Sequence, residues 1–90
     1  MGQAVTMTLT EQAEAVDTPD DLASFALALR EDLLSNPSRW ENVTLDAFLE
    51  ALAGWCSDMP GYFRNRDEAQ PAQPNWSLIA RILLAAAVYD

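Results

Sequence analysis

Apolar residues recur along this chain at helical spacing in three stretches. Leu22, Phe25, Ala26, Leu29 and Leu33 share one face of a helix predicted over 18–35. Leu45, Phe48, Leu49, Leu52, Trp55, Cys56 and Met59 share one face of a second, over 44–58, with Asp46, Glu50, Gly54 and Ser57 opposite. The third, over 75–89, is apolar nearly all round. Trp76, Ile79, Ala80, Leu83 and Ala87 line one side, Leu78, Ile82, Ala85, Ala86 and Tyr89 the other, and only Ser77 and Arg81 are polar between Trp76 and Tyr89. Such a helix is expected to be buried on more than one side.

The boundaries have local causes. Thr18-Pro19-Asp20-Asp21 combines a capping hydroxyl, a proline in the first turn and two acids at the positive end of the helix dipole. Thr44 with Asp46 makes a similar start, and Asn42 is a competing cap two residues earlier. Asn75 caps the third helix. Asn36-Pro37 ends the first, because a residue before proline is pushed out of the helical region. Pro60-Gly61 is expected to end the second, leaving a long loop over 60–75 from which Tyr62 and Phe63 fold back. Residues 1–17 read as a flexible arm, separate from a single helical domain over 18–90, that forms at most a short helix near 10–16. The expected class is all-α: a small bundle of three main helices.

Composition narrows the function. The 90 residues carry a formal net charge of -9, with five arginines and no lysine or histidine. No cationic footprint for nucleic acid or for an anionic membrane surface is present. The acidity is uneven: eight acids and two arginines over 1–43, three acids and no base over 44–59, three of each over 60–90. Cys56, alone, excludes a disulfide framework and reads as a small core residue. Met1-Gly2-Gln3 has no basic, apolar leader pattern, and the run from Leu78 to Tyr89 is too short to span a bilayer, so a cytoplasmic protein is expected.

No catalytic, cofactor-binding or metal-ligating constellation stands out. Asp46 and Glu50 are a carboxylate pair at i, i+4 with no third ligand nearby, and read as a solvated helix face. Three functions fit. The first is a non-enzymatic interaction module, inhibitor- or immunity-like, with a basic partner compatible with the charge. The second is a carboxylate enzyme or enzyme subunit with a pocket at Trp40, Glu41 and Asn42, Glu41 acting as a base with a raised pKa. The third is a mimic of nucleic-acid charge, for which the acids lack regular spacing. The partner-binding residues expected are Leu27 and Leu34, off the core face of their helix, with Leu78, Ile82 and Tyr89 of the last. Together they would form an apolar patch that a two-fold homodimer covers. The alternative cover is the N-terminal arm, through Val5, Met7 and Leu9.

The residues Trp40-Glu41-Asn42, Thr44-Leu45, Phe48-Leu49 and Ala51, with Trp76, Ala80, Leu83, Ala86 and the closing Tyr89-Asp90, resemble a group of small, uncharacterised bacterial proteins. Their shared core is W-E-N-x-T-L-x-x-F-L, followed by an alanine-rich final helix. The resemblance spans about residues 20–90 and implies a helical fold and a bacterial cytoplasmic setting. It carries no catalytic residue.

Overall fold

The computed structural model describes residues 7–89. Four α helices and no strand are present among them: α1 (Leu9–Ala15), α2 (Pro19–Ser35), α3 (Leu45–Asn65) and α4 (Trp76–Val88), with a 3₁₀ turn at Pro37–Arg39 between α2 and α3. Each α helix starts on a side-chain cap. Thr8, Thr18, Thr44 and Asn75 accept the backbone N–H three residues on, from Glu11, Asp21, Ala47 and Leu78. At α1 the contact is reciprocal, because the Glu11 carboxylate also accepts the Thr8 N–H at 2.9 Å.

α4 is the axis of the fold. Its buried residues, Leu78, Ala80, Ala86 and Ala87, point in different directions round the helix, as a helix apolar on every side requires. α1 and α2 pack on one side of it and α3 on the other. Alanines at 80, 86 and 87 let those neighbours come close. The main buried cluster joins Ala13 and Val16 to Phe25, Leu29 and Ala80, with Leu9, Leu22, Trp40, Leu83 and Leu84 packed round it. Residues of the N-terminal segment thus lie inside the core. The alternative to a homodimer has the arm cover the last helix through Val5, Met7 and Leu9; Leu9 is half-buried and Met7 exposed, Ala13 and Val16 are the buried ones, and Val5 lies outside the described residues. The Ser77 hydroxyl fastens the end of α1 by donating to the carbonyls of Ala13 and Glu14, at 3.1 and 3.3 Å.

Four expectations fail, each for a tertiary reason. α3 does not stop at Pro60-Gly61 but runs through both to Asn65. Proline removes one helical hydrogen bond, and burial of Phe63 with half-burial of Tyr62 beyond it offsets that loss. Cys56 is exposed, not a core residue. Leu45 and Leu49, expected on the core face, are 71% and 53% exposed. Trp76 is 39% exposed at the open end of α4. In α3 the buried side is that of Ala51 and Trp55, so the helix is rotated away from the centre of its apolar stripe. Phe63 shares its phase with Leu45 and Cys56 at about 100° per residue, so the segment beyond Pro60 turns a different face inward.

α3 ends on a left-handed residue. Asp67 has φ 57°, its N–H donates to Arg64, and the Glu68 N–H reaches back to the Phe63 carbonyl at 3.0 Å. This is the helix-ending pattern that usually takes glycine; aspartate tolerates it through its short polar side chain.

Candidate functional site

The segment Trp40-Glu41-Asn42 is a joint where the end of α2, the start of α3 and the end of α4 meet. The Trp40 indole N–H donates to Asp32 Oδ2 at 2.8 Å, and the Asn36 amide donates to the other oxygen at 3.3 Å. Arg39 stands 4.0 Å from the same carboxylate. The Trp40 ring stacks on Phe48 with centroids 6.5 Å apart, so α2 and α3 meet across it. The next two residues close the C-terminus of α4, where carbonyls have no partner within the helix. The backbone N–H groups of Glu41 and Asn42 both donate to the Ala87 carbonyl at 3.1 Å. The Asn42 side-chain amide donates to the carbonyls of Ala86 and Tyr89, at 3.0 and 2.7 Å. Thr44, not Asn42, caps α3. Two capping residues stood two apart and only one was needed, which left the asparagine amide for a distant helix. That surplus was the one available signal in the sequence.

Tyr89 completes the closure. Its ring lies against Gly54, where an added Cβ would come within 3.3 Å of Cε2. Its hydroxyl donates to the Asp58 carboxylate. That hydrogen bond raises the phenol pKa above its ordinary 10.0, since ionisation would set two negative charges together.

At the far end of α3 lies a cluster that sequence reading did not assemble. The Arg81 guanidinium stands over Phe63 and Tyr62, 5.1 and 5.7 Å from the ring centroids, and Arg66 lies 5.3 Å from that of Tyr62. Glu68 bridges both arginines, at 3.1 Å from Arg81 and 3.3 Å from Arg66. The hydrogen bond from Arg81, seconded by Arg66, lowers the Glu68 pKa below 4.5. Arg81 is the one charge on α4, and nothing in the sequence paired it with Glu68 across the loop.

Two hollows border the joint. A groove of about 730 Å³ runs between α1, α2 and the end of α4, floored by Leu29, Leu84 and Trp40 and edged by Asp32 and Arg39. A smaller hollow of about 350 Å³ is lined by Glu41, Asn42, Glu50, Gly54 and Tyr89. Glu41 is exposed there, and the Asn42 amide is committed to α4. Neither residue is set up as a desolvated base with a free orienting group.

The structure does not bring the five expected partner-binding residues onto one exposed surface. Leu27 and Leu34 are 65% and 61% exposed on the outer face of α2. Leu78 is buried, and Ile82 and Tyr89 are half-buried. Among the described residues no group of three or more Cys, Asp or Glu side chains converges as a metal site would require. No helix there is long and apolar enough to cross a membrane.

A family model matches residues 18–90, described as a family of unknown function, DUF7660. A search of the curated proteins finds no match, and nor does one of the solved structures. The chain belongs to the DUF7660 family, and α1 lies ahead of the matched stretch.

Proposed function

We propose that this member of the family is a non-enzymatic protein-interaction module, inhibitor- or immunity-like, working in a bacterial cytoplasm. One observation carries the reading. Large apolar side chains stand in solvent on helices whose inner faces are already packed: Leu27 and Leu34 on α2, and Leu45 and Leu49 at the start of α3, with Val43 just ahead of it. Grouped apolar exposure of this kind marks contact surfaces rather than ordinary surface. The side chains of Asp32, Asn42 and Asp58 are engaged in hydrogen bonds that tie the chain's own elements together. That leaves the carboxylate-enzyme alternative with Glu41 and Glu50 alone in an open hollow.

Self-association belongs to the same reading. With Leu78 inside, the two-fold face reduces to Leu27 and Leu34, one heptad or two turns apart on α2. Light scattering at micromolar concentration tests it: a dimer that Leu27→Glu splits without unfolding is expected, and a monomeric mass in the wild type ends the homodimer. Capture with the whole chain as bait, from its native host, tests the wider reading. A partner retained by wild type and lost by Leu27→Glu or Leu49→Glu is expected. Recovery of no partner, from a chain that is also monomeric, overturns it.

A further inference from the structure

α3 carries the feature that the fold leaves least explained. Leu45, Leu49, Leu52, Cys56 and Met59 follow one another at spacings of four, three, four and three. At about 100° per residue they fall within a strip about 80° wide, and with 1.5 Å per residue the strip is about 21 Å long. Leu45, Leu49 and Cys56 are exposed, and Leu52 and Met59 are half-buried. Val43 adds to its upper end, exposed as well. The strip is therefore continuous, open to solvent at three positions and half-covered at Leu52 and Met59, while the core takes the neighbouring face through Ala51 and Trp55.

Charge decides what would cover it. Between Arg39 and Arg64 the chain has four acids, Glu41, Asp46, Glu50 and Asp58, and no base. All four are exposed, and none takes part in an ion pair among the described residues. Asp46 lies about 100° round the helix from the midline of the strip and Glu50 about 140°, so Asp46 flanks its open side and Glu50 stands behind it. A second copy would bring the same acids against these with no cation within the strip's own span, 45–59, to answer them, which opposes a two-fold contact centred here. A helix with leucines at 3–4 spacing flanked by Lys and Arg matches both the apolar strip and its field. We propose that the outer face of α3 is the docking surface for a basic amphipathic helix of a partner protein. This rests on the interaction-module reading and gives it a surface and a partner chemistry.

Cys56 sits in the strip and is the chain's one thiol, so it reports occupancy without mutation. The probe is a synthetic Leu/Lys helical peptide of about 18 residues, long enough to hold a helix, with a Leu/Glu peptide of the same leucine pattern as control. The measurement is the rate of Cys56 alkylation by neutral iodoacetamide in the full chain. The expected result is that the Leu/Lys peptide slows alkylation by about tenfold or more at saturation, a figure set by equating protection with tight occupancy. The Leu/Glu peptide leaves it unchanged. Leu49→Glu abolishes protection and Leu27→Glu retains it. Leu49→Glu adds a negative charge, so attraction by charge alone would strengthen binding there. Leu49→Ser, which adds no charge, serves as the second variant, and circular dichroism checks that both fold.

Equal protection by the two peptides, or full protection in Leu49→Glu, overturns the proposal. So does binding of the Leu/Lys peptide that leaves Cys56 reactive. Protection that rises with protein concentration alone, alongside a dimeric mass, assigns the strip to a second copy and overturns it too. If the strip stays unprotected while an association lost by Leu27→Glu persists, this inference falls and the interaction reading stands. If no association of either kind is found, both fall.

Discussion

α4 and the first four turns of α3 both carry large apolar residues at helical spacing, yet the fold treats them in opposite ways. α4 is wrapped by α1 and α2 on one side and by α3 on the other, and only its first and last residues, Trp76 and Val88, are exposed. α3 packs closely along α4 alone, so a single face is covered and Leu45, Leu49 and Cys56 remain outside. The burial of an apolar side chain here follows the neighbours its helix has, and Leu45 and Leu49 stay exposed for want of one. α1 makes the difference on α4's side, and nothing plays that part for α3.

The largest test of this contrast sets a residue of α3's covered face against one of its open face. Trp55→Ala should destabilise the fold by about 3–5 kcal/mol, the usual loss for a buried large aromatic. Leu49→Ser, six residues earlier, should stay within about 0.5 kcal/mol, as a surface change does. Urea unfolding followed by far-UV circular dichroism measures both. Comparable losses at the two sites would mean that α3 is turned differently on α4.

A smaller effect is expected where α4 is closed. Asn42→Ala removes two part-buried hydrogen bonds and should cost about 1–2 kcal/mol. Asn42→Asp should cost more, because a carboxylate cannot donate and would set negative charge against the carbonyl end of a helix. Thermal melting separates them, since about 1 kcal/mol shifts the midpoint of a domain this size by about 4–8 °C. Asn42→Asp melting above Asn42→Ala would show that the amide does not serve α4.

The smallest effect is one of pH, at the contact where Tyr89 ties the end of α4 to α3. The Tyr89 pKa is raised by its hydrogen bond to Asp58, so its contribution is fully present below the ordinary phenol value of 10.0. It is lost as pH rises through the raised value. Wild type should lose melting temperature above that point, and Tyr89→Phe should lose less over the same span. Identical alkaline profiles would remove the contact from the fold's support.

Much of the helical frame was legible because its causes are local. Thr18-Pro19-Asp20-Asp21 and Thr44 state two helix starts within four residues each, and both hold. The spacing Thr8-x-x-Glu11 states a third, in a segment read as an arm with at most a short helix near 10–16. The end of α3 was not legible. Pro60-Gly61 is a strong local stop, and it is overridden by the packing of Tyr62 and Phe63 against Trp55 and Arg81. The joint at Trp40–Asn42 was read as a pocket or a cap because its partners, Ala86, Ala87 and Tyr89, are more than forty residues away.

By itself the sequence determined that the chain is helical, where its helices begin, and that α4 must be enclosed. Caps, dipoles and all-round apolarity act within a few residues or on one element alone. Only the tertiary structure decided which half of the α3 stripe is covered, that the helix passes through Pro60, and that Asn42 serves a helix other than its own. Each of these depends on where a neighbour lies. An apolar stripe on α3 is equally compatible with a core in front of it and a core to one side. Here the core lies to one side, and the acidic, leucine-lined face is what remains.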